Sequence, residues 1–559
     1  MPYGYYHYDW RGEPDLDPQY YDCWVCNVAH SVPAWTPLFT SEWYRLIPYA
    51  MQYANDYICE PTSKGWDWRI YNGYAYITSI KVPESEVEGR KQVYREQLAS
   101  IIDDPWGYSE RLFSRLMEKY DYYKPLNVKE MRDCELVQHL WDMAELDRLM
   151  WEVHMLGWDG LLGGLRLWRE MLVDLFGITP YDVRYAKLLS GFDNALFKLN
   201  SDLTHVAARA VELNVESNFS LPDEEVIPAM EQTEAGREWL GEFDKFLNEH
   251  GYRSDRMLEF TRPTWLEKPT LAIPDIRRII SAGVSHAPDI LRHQLRKEGE
   301  EIERELLAKL PSDQREWFHK LTQCAQAAHS WSESHDYWCE FQTYGLRRRA
   351  IKELSERLYR KDIIDDPEDT AYLLHQDLIY AAVIQEKVGK KYFRDLIKRN
   401  KEEFEYYKSI PPGGDTTPLF LGDPSKLPLV AGRDTLFGVV AAPPAEDAAK
   451  VGAVAVGCAG APGIVEGTAR VIASASEWDQ IKPGDILVCP MTDATWTPLF
   501  ALLKGVVTDS GGLLAHPAIV CREYGIPAVC GTFDASKKIK TGDRIRVDGN
   551  LLRVYKLDQ

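Results

Sequence analysis

The sequence predicts an α+β multidomain protein, with a large, mostly helical part followed by a small part of short strands carrying one helix. Three observations lead there. The chain has 559 residues, more than one hydrophobic core normally organises, so two or three domains are expected. Apolar residues recur at three- and four-residue spacing through most of 85–408, then give way to short strand-like runs after 451. Between the two lies a stretch crowded with helix breakers.

In chain order, residues 1–90 are rich in Trp and Tyr and broken by Pro and Gly, with short strands expected at 68–71 and 75–80. Segments 136–156 and 290–310 read as amphipathic helices, the second with a Lys/Glu-rich solvated face. Residues 410–450 hold PPGGDTTP, GDPSKLP and AAPPAEDAAK, a linker expected to lie over the surface and to move. In 451–559, strands are expected at 468–473, 486–490, 505–509, 528–531, 544–548 and 551–555, and a helix at 513–524. The expected domains are therefore 1–409 and 451–559, joined by 410–450.

Charge narrows the function. Lys and Arg total 65 against 86 Asp and Glu, a formal charge of −21. That argues against nucleic acid or an anionic membrane as partner, though a local phosphate pocket needs no basic protein. The start, MPYGYYHYDWRGEPDLDP, lacks the basic flank and apolar run of a signal peptide, and no apolar stretch reaches spanning length. The ten scattered cysteines read as reduced buried thiols, and the cytoplasm is the expected location. Cys23 and Cys26 with His30 have the spacing of half a zinc site, but no second pair is close, so a packed strand is favoured. His329, Glu333 and Asp336 share a helical face, where a buried ion-pair network is favoured over a metal site. No metal ligand set is assigned.

The informative string is TDSGGLLAHPAIVCREYGIPAVCG at 508–531. A strand ends in a turn with Gly511 and Gly512, and a helix begins directly after. Glycines let backbone N–H groups approach an anion, and a helix start favours negative charge. His516 falls in the first turn, where a neutral imidazole can attack phosphorus and nearby donors can stabilise the phosphoryl group it then carries. Thr508 can add a hydroxyl donor and Arg522 a charge.

The string resembles the phosphohistidine signature of the swivelling domain in enzymes related to phosphoenolpyruvate synthase, pyruvate phosphate dikinase and rifampin phosphotransferase. That signature runs T-x-x-G-G-x-x-[small]-H, then A-R-E-x-G-I-P-A-V-x-G. PGDILV at 483–488 and PMTDATWTPLF at 490–500 also resemble the family, closest to the rifampin branch. Ala515 departs from the usual Ser, Thr or Cys and removes a hydroxyl near the phosphate; Cys521 replaces the usual Ala. Upstream, EHGYR at 249–253, Glu259, RPTWLEKP at 262–269, ESHD at 333–336, GLRR at 345–348, WTPL at 35–38 and NGYAY at 72–76 resemble segments of the same family's acceptor-binding domain.

The resemblance implies that His516, Thr508, Gly511, Gly512 and Arg522 do the phosphoryl chemistry on a β/β/α swivelling domain. His335, Glu333, His250, Arg253 and Trp35 are the implied acceptor-binding residues of the helical domain. Those enzymes begin with an ATP-grasp domain, and here no such segment precedes the acceptor region, nor does a G-x-x-x-x-G-K-[ST] loop occur. A donor in trans is therefore expected: an ATP-grasp-type subunit holding ATP and Mg²⁺, with no tightly bound cofactor in this chain. The split arrangement resembles phenylphosphate synthase, so a small aromatic hydroxyl is the expected acceptor, its ring suited to an aromatic-rich pocket. The alternatives are an antibiotic or natural-product hydroxyl, and a non-catalytic phosphocarrier or binding protein. A closed apolar pocket within reach of His516 would count against the last.

Overall fold

The Asp133–Phe176 helix is the axis of the larger part. Glu135 accepts the Arg132 backbone N–H at its start, and Gly177 ends it in the left-handed region at φ 63°. At 44 residues it runs well past the expected 136–156 segment, although four glycines interrupt its sequence. They persist because neighbouring chains come very close. A Cβ on Gly157 would lie 1.9 Å from the Trp331 ring, and one on Gly164 2.3 Å from the Cys324 sulfur. Both neighbours sit on the Ser312–His335 helix, which packs along the axis. The structure, a computed structural model, describes residues 23–557 except 32–33, 45, 180–181, 255–258, 282, 284–286, 385–388, 415–416, 424–447, 474 and 501.

Two sheets flank the helices. The first is antiparallel, from β1 (Cys23–Cys26), β2 (Ser63–Tyr71), β3 (Tyr74–Lys81) and β4 (Phe420–Gly422), in the order β2-β3-β1-β4. Its tryptophan and tyrosine content is mostly core: Trp24, Tyr74 and Tyr76 are fully buried and Trp68 nearly so. Strand β4 pairs Gly422 with Cys23, so part of the 410–450 segment belongs to this sheet. The rest of the expected linker, 424–447, lies outside the described residues. Cys23 and Cys26 are three apart in a strand and so face opposite sides, which explains why they form no half-site; burial pushes the Cys26 thiol up to about 12. The side chain of His30 lies outside the described residues.

The second sheet has the order β5-β12-β11-β7-β8-β9-β10-β6. Its strands are β5 (Ala455–Val456), β6 (Ala459–Ala461), β7 (Ile464–Val471), β8 (Ile486–Cys489), β9 (Gly505–Thr508), β10 (Ala528–Cys530), β11 (Arg544–Asp548) and β12 (Arg553–Lys556). The run β7-β8-β9-β10 is parallel and the rest antiparallel. One face buries Ile486, Val488, Val507 and Val547 in its own cluster; the other, with Leu487, Val506 and Ile519, joins the core of the helical part. Apolar packing therefore continues across the junction, which holds the small part against the large one. Among the described residues, no helix is long and apolar enough to cross a membrane.

Candidate active site

Strand β9 stops at Thr508, and a tight turn leads to the His516–Tyr524 helix. The turn needs Gly511, whose φ is +131° and whose added Cβ would meet the Cys530 side chain at 3.3 Å. Ala515 is the extended N-cap, and Pro517 occupies the first turn, where its missing N–H costs nothing. His516 is thus the first helical residue. The expected helix began at 513, but 513–515 belong to the turn.

His516 is buried, with its ring edge-on to Phe500 at 5.5 Å. Thr492 Oγ1 lies 2.9 Å from its Nδ1 and Thr497 Oγ1 2.9 Å from its Nε2. Thr497 also donates to the Ala494 carbonyl at 2.8 Å, and one hydroxyl proton serves one acceptor. With that proton on Ala494, Nε2–H donates to Thr497, and the Nδ1 lone pair accepts from Thr492. Burial, then the Arg253 charge, holds the imidazole down to about 3, so it is neutral in this setting. A neutral imidazole keeps a lone pair for attack on phosphorus.

The ring faces a cavity of about 300 Å³. Trp35, Trp66, Trp68, Met155 and Trp158 supply apolar wall; Glu333, His335, Asp336, Glu340, Thr492 and Asp493 supply polar lining. Burial raises Glu333 and Asp336 well above the usual carboxylate range, helped by the other acids beside them. Burial and Asp493 push Glu340 up to about 8. Four clustered acids at low dielectric cannot all ionise together, so the cluster holds protons at neutral pH.

Several sequence candidates meet here: His516, Gly511, His335, Glu333 and Trp35 all line the cavity. Others do not. Thr508 gives its hydroxyl proton to Ser510 O at 2.7 Å, so it braces the glycine turn and does not reach toward a phosphate. Gly512 lies in the same turn, its carbonyl accepting from Ala515 N–H at 3.2 Å. The buried Arg522 guanidinium donates to Gly460 O at 3.2 Å and to Leu513 O, tying the helix to β6 instead of pointing at His516. His250 has one nitrogen on Asp202 at 2.8 Å and the other on Tyr337 at 3.0 Å, away from the cavity. Arg253 sits between: it donates to Thr495 O at 2.6 Å and stacks 4.8 Å from Trp265, close enough for its charge to act on His516.

The helical face of His329, Glu333 and Asp336 does not close on one ion, because His329 reaches Glu523 at 3.2 Å. That contact joins the two parts, as do Gly191 N–H to Glu523 at 3.0 Å and Ser332 to Leu514 O at 2.9 Å. Glu259 accepts the Thr36 backbone N–H and hydroxyl, and Glu267 pairs with Arg348; both fix the framework. Sequence reasoning missed Thr492, Thr497, Asp493, His154 and Glu340 as cavity or ring partners. The first three stand in a string that resembled the family, but nothing in their spacing placed them beside the histidine.

Residues 481–551 match the PEP-utilising enzyme mobile domain. The chain carries that domain. It is the strand-rich unit around His516, and the α+β reading agrees with it. Residues 163–333 match the rifampicin phosphotransferase fourth domain, which covers much of the helical part. The chain is 28% identical over 547 residues to chondramide synthase of Chondromyces crocatus, covering 94% of this chain and 14% of that one. It is 30% identical to the uncharacterized phosphotransferase YvkC of Bacillus subtilis, covering 58% of this chain and 37% of that one. A rifampicin phosphotransferase of Bacillus cereus is 31% identical, covering 58% and 35%. The chain therefore spans a minor share of each relative's length, with the mobile domain docked so that its His516 faces a cavity of the helical part.

Proposed function

We propose that this chain is the phosphohistidine-carrying and acceptor-binding part of a phosphotransferase, in which His516 delivers a phosphoryl group to a natural-product hydroxyl. One observation carries the reading: a buried, neutral histidine at the helix start of the mobile domain faces a concave, largely apolar cavity lined by both parts. A flat docking surface would suit a passive carrier; this cavity supports chemistry on a small molecule. The rifampicin phosphotransferase relatives favour a natural-product acceptor over the phenol that the sequence resemblance suggested. The tryptophan wall and the volume of about 300 Å³ fit a compact aromatic acceptor, which keeps phenol as the second reading.

In the delivery step, the acceptor oxygen bonds to phosphorus as the phosphorus–nitrogen bond breaks. The electron pair of that bond stays on the His516 ring. The acceptor's proton passes to an ionised member of the carboxyl cluster and ends on the ring in place of the phosphoryl group. The cavity contributes mainly orientation and exclusion of water. The donor is assigned to an ATP-grasp-type unit in trans with its own Mg²⁺, and no residue of this chain is given a role toward the nucleotide.

The test mixes the chain with such a subunit, Mg²⁺ and ATP radiolabelled at the β-phosphate. Acid-labile, base-stable label is expected on the wild type and none on His516→Ala. Chasing the label with phenols and with natural-product alcohols then separates the two acceptor readings. Equal label on His516→Ala, or none on the wild type with every ATP-grasp subunit tried, sinks the proposal in favour of a binding protein.

A further inference from the structure

The cavity holds a second arrangement that phosphoryl transfer to His516 does not explain. His154 projects from the Asp133–Phe176 helix, His335 ends the Ser312–His335 helix, and Glu340 stands in the π-helical turn Asp336–Phe341. One ligand atom from each lies within 4.8 Å of the other two, and all three side chains are buried. His154 Nε2 is 3.5 Å from Glu340 Oε1, and the two imidazole rings meet edge to face at 4.5 Å.

Two details point to a ligand. His335 Nδ1 lies 3.1 Å from the Trp331 carbonyl, which can only accept, so Nδ1 carries the proton and Nε2, 3.1 Å from Asp336 Oδ1, keeps its lone pair. A backbone carbonyl fixing one nitrogen is how metal-binding histidines are held. Glu340 Oε2 is buried with no hydrogen-bond partner among the described residues, an arrangement that is costly unless something else occupies it. The backbone adds to this. Glu340 lies five positions after His335, too far for one face of an α-helix but one turn of a π-helix, and such turns often mark functional sites.

We propose that His154, His335 and Glu340 form a binding site for a divalent first-row transition-metal ion. Two imidazoles and a carboxylate suit Zn²⁺, Mn²⁺ or Co²⁺ better than Mg²⁺ or Ca²⁺, which favour all-oxygen shells. Asp336 Oδ1, 3.1 Å from His335 Nε2, stands where it can complete or hydrogen-bond the shell. Glu333 and Asp493 add negative charge to the same cavity, whose one lining Lys or Arg among the described residues, Arg166, neighbours Asp159 and Glu60 instead. An anionic phosphoryl group entering beside the ionised members of this acid cluster is repelled, and a divalent cation offsets that repulsion. This role in transfer rests on the phosphotransferase reading; ion binding does not.

Co²⁺ titration of the full chain, stripped with chelator, tests the site through its visible d–d absorption. One Co²⁺ per chain is expected, displaced by Zn²⁺. Glu340→Gln, close in shape, should weaken it about tenfold or more, while His516→Ala and His250→Gln leave the spectrum intact. X-ray absorption of the wild-type Co²⁺ complex should show two imidazole nitrogens, a readout that does not depend on a variant folding. No bound Co²⁺, unchanged affinity in Glu340→Gln, or loss of the signal in His250→Gln (from the separate Asp202, Glu249 and His250 group) would overturn the proposal. Failure of the phosphotransferase reading would instead show in His516 labelling, which is measured separately.

Discussion

His516 and His250 are both buried histidines with both ring nitrogens engaged, and the sequence made both candidates for the site. His250 is held by the carboxylate of Asp202 and the hydroxyl of Tyr337, inside packed structure. His516 is held by two hydroxyls and opens on a cavity. The carboxylate partner makes His250 part of a hydrogen-bonded network that braces helices. Burial and the Arg253 charge leave His516 neutral, as a phosphoryl carrier needs. What separates the proposed carrier histidine from the bracing one here is the partner and the empty space, since burial is common to both.

The largest expected effect breaks the pair apart. His516→Ala should abolish phosphoryl labelling, whereas His250→Gln should leave labelling intact and lower stability by about 1–3 kcal/mol, read by denaturant unfolding. A helix-packing change should reach only the cavity side. Gly157→Ala forces a methyl into Trp331, whose carbonyl holds His335. It should cost about 1–3 kcal/mol or more and slow transfer to acceptor while leaving His516 able to take label. Wild-type stability and transfer rate with unshifted Trp fluorescence in this variant would show that the close approach is not needed.

Acidification sharpens the comparison further. Docked His516 stays neutral down to about pH 3, while an exposed histidine protonates near pH 6.5. Between those values the unfolded state takes up a proton that the docked state refuses. The contribution to stability is therefore complete above pH 6.5 and lost as pH falls toward 3. Thermal unfolding from pH 7 to 4 should fall less steeply in His516→Asn; parallel curves would mean the ring is not buried in solution. The smallest effect is at the cap. Ala515 offers no side-chain acceptor to the helix start, so Ala515→Ser should add about 1 kcal/mol of stability without abolishing labelling, checked by the melting temperature.

Much of the small domain was legible. Strands expected at 486–490, 505–509, 528–531 and 544–548 coincide with β8 to β11, because short apolar runs between glycine and proline turns leave few alternatives. The end strand shifted from 551–555 to Arg553–Lys556, and the two-residue β5 was missed, since edge pairing is set by the partner strand. The long helix was legible in kind but not in extent. Its glycines read as breakers, and only Trp331 and Cys324 packing against them explains why it continues. In the site, the glycine turn and the helix start at His516 were legible in position, whereas the carbonyl partners of Thr508 and Arg522 were not, because a hydroxyl and a guanidinium can serve a nearby carbonyl as readily as a phosphate.

The sequence by itself determined the order of elements, the change from helical to strand period, and a histidine at a glycine-turn helix start. These follow from local rules: side-chain periodicity, backbone freedom at glycine, and the unsatisfied donors of a helix end. Only the tertiary structure decided that Thr492 and Thr497 grip His516, that His250 is occupied elsewhere, and that His154, His335 and Glu340 converge. Those contacts join residues up to 186 positions apart, as between His154 and Glu340. Their convergence depends on how closely two helices pack and on one π-turn, and neither leaves a period in the sequence.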